Sequence, residues 1–337
     1  MRCENCRRMP KTPNLDAQVD GPQYLGPATF MKVRSLSEPE QLDETRPNVA
    51  IVGAPWDDGT TYRPGARFGP RAVRVANYQP PSWHLDLEVA PFDVLSVIDY
   101  GDAVCYPGLT DQAHEAIRVR VAEVASREIV PMVIGGDHSI TYPTANAVAD
   151  AYGRGKVGLV HFDAHADTGK STWGNLASHA TPMRRLIESG AIPGRNFVQI
   201  GLRGYWPERE TFEWMRAQGM RWHRMGELLD RGVETVIDEA IRQALDGPEF
   251  IYLSVDIDVL DPGFAPGTGT PEPGGMQPSD LFRAIRKIAL RTELVGMDVV
   301  EVSPPYDHAE ITAQNANRCI LDAISALAVK QSRGGKP

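Results

Sequence analysis

Three short clusters in this chain carry side chains that bind divalent metals, and each closes an apolar run. Asp163, His165 and Asp167 alternate in Asp163-Ala164-His165-Ala166-Asp167, shortly after Val157-Gly158-Leu159-Val160. In extended backbone, residues i, i+2 and i+4 project to the same side, so these three can converge at a strand end. Gly135-Gly136-Asp137-His138-Ser139 follows the apolar stretch 129–134, and Ser254-Val255-Asp256-Ile257-Asp258 follows 250–253. The candidate ligands are therefore His138, Asp163, His165, Asp167, Asp256 and Asp258. Four carboxylates with two imidazoles and no thiolate suit Mn²⁺ or a similar borderline ion. Six ligands are too many for one catalytic ion with an open position. They fit two ions that share carboxylates, and such a pair activates water as a nucleophile at neutral pH. A lone aspartate at a strand end is usually a cap or turn residue, so the co-organisation of six carries the weight. His161 has the opposite parity to Phe162 inside its strand and reads as a packed or supporting histidine. His84, His114, His223 and His308 lack comparable company and read as surface or core residues.

The elements that must hold these clusters are also legible. From residue 49 onward, short apolar stretches alternate with amphipathic ones, the pattern of a mostly parallel sheet covered by helices on both faces. The expected strands are 49–53, 94–99, 129–134, 157–163, 197–201, 221–224, 250–256 and 294–302. Val233, Val236, Ile237, Ala240, Ile241 and Ala244 form one stripe at helical spacing, as do Ala113, Ile117, Val121 and Val124. Ser279 after Pro278 reads as the N-cap of another helix, and a last helix over 311–329 should bury Ile320, Ile324 and Leu327. Residues 1–47, with Pro10, Pro13, Pro22 and Pro27, read as an irregular N-terminal arm, 48–331 as a single catalytic domain and 332–337 as a tail. Two Gly/Pro-rich stretches, 63–70 and 262–275, follow strands and are expected to form the rim of a site.

A chain of 337 residues with 42% hydrophobic and 23% charged residues can bury a large α/β core. The net charge of −9 argues against nucleic acid and anionic membrane surfaces as partners and is compatible with a small cationic substrate. No run approaches the length of a membrane span and no signal h-region follows the start, so the expectation is a cytoplasmic protein. Cys3 and Cys6 form a CxxC without a second pair, and Arg2, Arg7 and Arg8 around them suggest an incidental pair in an exposed tail.

The motifs at 135–139, 163–167 and 254–262, in this order and spacing, resemble those of the ureohydrolases, the arginase and agmatinase superfamily. Pro64-Gly65-Ala66-Arg67-Phe68-Gly69-Pro70 and Asp298-Val299-Val300-Glu301-Val302 extend the resemblance to both ends of the domain. Pro266-Gly267-Thr268-Gly269-Thr270-Pro271 and Ser178-His179-Ala180-Thr181-Pro182 look like the agmatinase and guanidino-acid branch. The resemblance implies a three-layer α/β/α sandwich with a central eight-stranded sheet and two Mn²⁺ at the carboxyl ends of the strands. It implies His138, Asp163, Asp167 and Asp256 around one ion, and Asp163, His165, Asp256 and Asp258 around the other. It further implies Glu301 as the guanidinium-binding carboxylate, Asp167 as proton carrier and His179 as proton shuttle. The reaction implied is hydrolysis at the guanidinium carbon, giving urea and an amine, in a homo-oligomer that is a trimer or hexamer.

Several positions depart from the branch pattern. Trp56 stands where phenylalanine is usual, Ala180 where glycine is usual, and Tyr62 and Trp173 lie in neighbouring loops. Trp56 and Trp173 are therefore expected to bind substrate, narrowing the rim and offering flat faces to a planar cation. Beside an agmatinase- or guanidinobutyrase-like activity, this opens an alternative. The substrate is then free guanidine, or a small alkyl guanidine or biguanide of the metformin type, and the metal Ni²⁺. A second alternative is a silent subunit that supports a paralogous subunit in a mixed oligomer.

Overall fold

The computed structural model describes residues 23–78 and 82–334, so Cys3, Cys6 and the first part of the arm lie outside the described residues. Among the described residues, eight strands form one sheet: β1 Val49–Ala54, β2 Val97–Asp102, β3 Val130–Gly135, β4 Val157–Phe162, β5 Phe197–Leu202, β6 Arg221–Arg224, β7 Phe250–Asp256 and β8 Leu294–Val300. Their order is β2-β1-β3-β8-β7-β4-β5-β6, and every neighbouring pair is parallel. Parallel strands covered on both faces need apolar residues at both parities. In β1, Val49 and Ile51 enter one core while Ala50, Val52 and Ala54 enter the other.

The helices are α1 Pro39–Thr45, α2 Gly69–Val75, α3 Pro91–Val94, α4 Thr110–Ala125, α5 Thr141–Tyr152, α6 Pro182–Glu188, α7 Arg209–Ala217, α8 Met225–Arg231, α9 Val233–Ala244, α10 Pro278–Arg291 and α11 Ile311–Ser332. Buried residues of α2, α3 and α8 to α11 share one core, and those of α1 and α4 to α7 share the other. The result is the expected three-layer sandwich, with a sheet that is parallel throughout. No helix of the described residues is long and apolar enough to cross a membrane.

Three expectations need correction. The strand expected over 94–99 runs Val97–Asp102, because Pro91 opens the helical turn α3, which takes up Val94. Pro278, not Ser279, begins α10, and Gln277 at the cap position makes no side-chain cap bond. The arm is not irregular throughout: α1 starts with a capping box between Glu38 and Gln41 and buries Leu42. Ahead of it, Phe30 and Met31 pack into the sheet's core, and the Phe30 N–H donates to the buried Asp99 carboxylate at 2.9 Å.

β3, β8, β7 and β4 are consecutive neighbours at the centre of the sheet. Each of the motif clusters leaves the carboxyl end of one of these four strands, the edge at which parallel α/β sheets build ligand sites. Gly136 makes the approach possible. It has φ +45, and a Cβ there would lie 2.4 Å from the Ala54 carbonyl oxygen and 2.6 Å from that of Trp56.

Candidate metal centre

The ends of β3, β4 and β7 bring the six candidate ligands together. His138 Nδ1 lies 3.1 Å from Asp163 Oδ2, 2.9 Å from Asp167 Oδ2 and 3.1 Å from Asp256 Oδ2. His165 Nδ1 lies 3.0 Å from Asp258 Oδ2 and 3.5 Å from Asp163 Oδ1. Ligand atoms of His138, Asp163, Asp167 and Asp256 fall within 4.8 Å of one another, and so do those of Asp163, His165 and Asp258. Asp163 belongs to both groups, one oxygen facing each. Asp256 presents Oδ2 to the first group, while its Oδ1 accepts from the Asp258 N–H at 2.8 Å.

The donor set fits a pair of cations. Four carboxylates meet in the protein interior, and among the described residues none of them is ion-paired to a lysine or arginine. His138 Nδ1 and Asp163 Oδ2 are buried without a hydrogen-bond partner. Buried charge without compensation is costly, and here the histidines absorb it. Burial opposes charge on His138, but Asp163, Asp167 and Asp256 outweigh it and raise its proton affinity well above the usual value. For His165 burial is likewise overcome, by Asp258 and Asp163. Asp256 is pushed well up by burial, then by Asp258 and Asp163. Divalent ions would replace these protons with charge matched to the carboxylates.

Buried partners orient the candidate ligands. Asp298 is an acceptor-only carboxylate with no solvent, and it accepts from Tyr252 Oη at 2.7 Å, Thr141 Oγ1 at 2.9 Å and Ser254 Oγ at 2.7 Å. Since the Ser254 proton goes to Asp298, Ser254 Oγ must accept from His138 Nε2, 3.0 Å away. The proton of neutral His138 then sits on Nε2, and the Nδ1 lone pair faces the carboxylates. Gln199 settles His161 in the same way. Its Nε2 donates to the Ala166 carbonyl, so it also donates to His161 Nδ1 at 3.0 Å. The His161 proton is then on Nε2, which lies 2.8 Å from Asp163 Oδ2 without the geometry of a hydrogen bond. His161 stands buried behind the candidate ligand Asp163.

Glu301 follows β8, and its Oε1 accepts from the His138 N–H at 2.8 Å and from His179 Nδ1 at 2.9 Å. Its Oε2 is buried with no partner. Burial pushes the Glu301 carboxyl up, but His179 outweighs it and holds the group ionised below the usual range. Conversely, Glu301 overcomes burial to raise His179 to about 9. Thr61 meets the other ring nitrogen with its N–H at 3.1 Å and its hydroxyl at 2.7 Å from Nε2. The hydroxyl can accept from or donate to Nε2, whereas the N–H needs its lone pair and so favours the neutral ring, against the pull of Glu301. Asp167 and Glu301 both have left-handed backbone, φ +49 and +64, and such strain in non-glycine residues collects at functional sites.

The two tryptophans separate. Trp173 is 88% exposed in the loop between Asp167 and His179. Trp56 is 2% exposed and does not line the rim, which corrects the expectation. Its ring lies in the core shared by α4 and α5, edge-on to His114 at 6.2 Å. Its carbonyl accepts from the Asp137 N–H at 2.7 Å, which turns the chain inward after β1. Sequence reasoning left Asp137, Ser254, Asp298, Thr61 and Gln199 without a role. Asp137, pushed up to about 7 by burial and by Glu301, accepts from the Gly59 and Ser139 N–H groups. The only sequence signal for it, Ser254 and Asp298 was membership of the same motifs.

The fold and this centre define a metal-dependent hydrolase of the arginase type. The Arginase family model matches residues 47–325, and the chain belongs to that family. It is 40% identical to the guanidinopropionase of Pseudomonas aeruginosa over 95% of this chain and 97% of that protein. It is 41% identical to the mitochondrial agmatinase of Gallus gallus over 90% of this chain and 86% of that protein. The structure of proclavaminate amidinohydrolase from Streptomyces clavuligerus superposes with a TM-score of 0.85 at 35% identity, covering 92% of this chain and 99% of that one. Within the ureohydrolases the chain falls in the agmatinase and guanidino-acid branch.

Proposed function

We propose that this protein is a binuclear metal amidinohydrolase that cleaves a guanidino compound to urea and an amine. The observation that carries the reading is the pair of candidate ligand groups sharing Asp163, with His138 linking them through its N–H to Glu301 Oε1, which leaves Glu301 Oε2 open. His138, Asp163, Asp167 and Asp256 would hold one ion, and Asp163, His165 and Asp258 the other, with Asp256 as second bridge. The donor set favours Mn²⁺, with Ni²⁺ as the alternative. When bound, the pair supplies an activated water as nucleophile. Glu301, ionised and buried, binds and orients the cationic guanidinium through Oε2. The Asp167 carboxylate is placed to hold a proton given up by the nucleophile. His179 is placed to carry a proton to the leaving nitrogen, since its Nδ1 touches the carboxylate that binds the same group.

Relatives named guanidinopropionase, guanidinobutyrase and agmatinase support a guanidino compound as the substrate. With Trp56 in the core, Trp173 and Tyr62, both exposed, are left of the three aromatics that favoured free guanidine or a biguanide. A cytoplasmic homo-oligomer, trimer or hexamer, belongs to the same proposal.

The test loads purified protein separately with Mn²⁺ and Ni²⁺ and measures urea from agmatine, 4-guanidinobutyrate, 3-guanidinopropionate, arginine, guanidine and biguanides. Metal-dependent urea from at least one compound is expected. No urea from a chain carrying two ions overturns the reading, and no urea with fewer than two ions favours the silent-subunit alternative.

A further inference from the structure

His179 is buried, yet one of its two ring nitrogens meets a residue that reaches the surface. An imidazole gains and loses protons only at Nδ1 and Nε2. Nδ1 faces Glu301 Oε1 at 2.9 Å, and Glu301 is itself buried. Nε2 faces Thr61, which is half-buried and directly precedes the exposed Tyr62. A proton exchanged between this ring and water therefore passes either Thr61 or a buried carboxylate.

Thr61 offers Nε2 two groups of different capacity. Its backbone N–H, at 3.1 Å, donates and cannot pass a proton onward. Its hydroxyl, at 2.7 Å, can accept and donate at once. The surrounding chain holds that hydroxyl in place. The Gly59 carbonyl accepts from the His179 N–H at 3.1 Å and from Ser178 Oγ at 3.1 Å, and the Gly59 N–H donates to Asp137 at 2.7 Å. Asp57 accepts from the Gly65 N–H at 2.7 Å and the Arg67 N–H at 3.2 Å. The turn carrying Thr61 is thus fastened to the His179 loop at one end and closed on Asp57 at the other. Burial opposes charge on the ring, and the carboxylates that face it, Glu301, Asp167 and Asp137, favour it.

We propose that the Thr61 hydroxyl is the proton relay between His179 and solvent. An acid in the water gives a proton to Oγ1 as the hydroxyl's own proton moves to Nε2, which makes the imidazolium. The reverse transfer returns the proton, and the hydroxyl is unchanged by either. The charge gained by the ring is the charge lost by the acid, so hydronium or a buffer acid suffices. Thr61 acts only through His179. That the imidazolium then supplies the leaving nitrogen with its proton rests on the amidinohydrolase reading.

Thr61→Val keeps the shape and the backbone N–H but removes the hydroxyl, and Thr61→Ser keeps the hydroxyl. The first measurement needs no substrate. It uses nitrogen NMR of the full chain, histidine-labelled and loaded with diamagnetic Zn²⁺, with His179 assigned by its loss in His179→Asn. The rate at which the ring gains and loses its second proton should fall about tenfold or more in Thr61→Val and recover in Thr61→Ser. The second measurement uses the enzyme's accepted substrate at low buffer concentration. Thr61→Val should lower kcat about 10- to 100-fold, part of what general acid–base catalysis contributes, and change KM less. Ammonium, a small acid that can stand in for the hydroxyl, should restore most of that loss, while wild type and Thr61→Ser should not respond to it. If Thr61→Val does not fold, Thr61→Ala makes the same comparisons. A ring-exchange rate in the hydroxyl-free variant within about twofold of wild type overturns the proposal, as does an unchanged kcat or a loss that ammonium leaves in place. Absence of urea from wild type across the substrate panel would instead count against the amidinohydrolase reading, and the exchange measurement still decides the relay.

Discussion

His138 shows how much of a candidate ligand's chemistry is set by residues outside the ligand groups. Its Nδ1 is free for coordination because Nε2–H is claimed by Ser254, whose own proton is claimed by Asp298. Removing either link lets the ring turn or change tautomer. Ser254→Ala and Asp298→Asn should each lower metal affinity about 10- to 100-fold, measured by competition with a chromophoric chelator, while Ser254→Thr keeps the hydroxyl and most of the affinity. Wild-type affinity in Ser254→Ala would show that packing alone orients the ring. The same residues mark the limit of what the chain discloses unaided. The six ligand candidates could be read because two-residue spacing fixes a shared direction within one cluster. Ser254 and Asp298 could not be connected, because they meet only where β7 and β8 pair them in register. Trp56 failed for a related reason: an aromatic just after a strand can turn toward a rim or a core, and here the ring packs in the core shared by α4 and α5.

At the scale of elements, strand positions followed from apolar runs, and errors fell where proline starts a helical turn inside such a run, as at Pro91. The long loop after β7 is a different case, since its sequence announced a rim but not what holds it. Arg203, just beyond β5, donates to the carbonyls of Asp258 at 2.7 Å, Val259 at 3.2 Å, Leu260 at 3.2 Å, Glu272 at 2.6 Å and Pro273 at 3.1 Å. Burial pulls its pKa down against the nearby carboxylates, led by Asp258 and Asp163. A planar fork of five donors thus ties β5 to the segment that carries Asp258 at one end and leads through Gly269. Lysine cannot reproduce that fork. Arg203→Met, which keeps the apolar stem, should cost about 1–3 kcal/mol by leaving carbonyls unpaired and should speed hydrogen exchange across 259–276. Arg203→Lys should recover only part of the protection. Unchanged exchange in Arg203→Met would mean that the Asp261 bonds to Gly263, Gly274 and Gly275 suffice to hold the loop.

For the whole molecule, the centre concentrates negative charge at the middle of one continuous sheet in a chain whose net charge is already −9. Hydrophobic cores on both faces hold the sheet together, and the carboxylates at its end oppose that cohesion unless cations neutralise them. Metal-free protein must keep protons on buried histidines and on Asp256, a poor substitute for ions bound by several oxygens each. Metal therefore acts as a ligand of the folded state, and mass action fixes the size of the effect. Each site filled at 100 times its Kd should add about 2.7 kcal/mol, so chelation should lower the unfolding temperature by several degrees, and graded addition of Mn²⁺ should restore it without a plateau at the midpoint of binding. Asp163→Asn is the decisive control because Asp163 faces both groups. It should abolish most of the metal-dependent rise together with activity. Burial pushes the Asp163 carboxyl up, but His161, His138 and His165 outweigh it and hold it well below the usual range, so its removal also strips the metal-free state of that pairing. The variant's metal-free unfolding temperature should consequently lie below that of metal-free wild type. A metal-dependent rise as large in Asp163→Asn as in wild type would show that the ions bind elsewhere, and the shared-carboxylate arrangement of the centre would have to be abandoned.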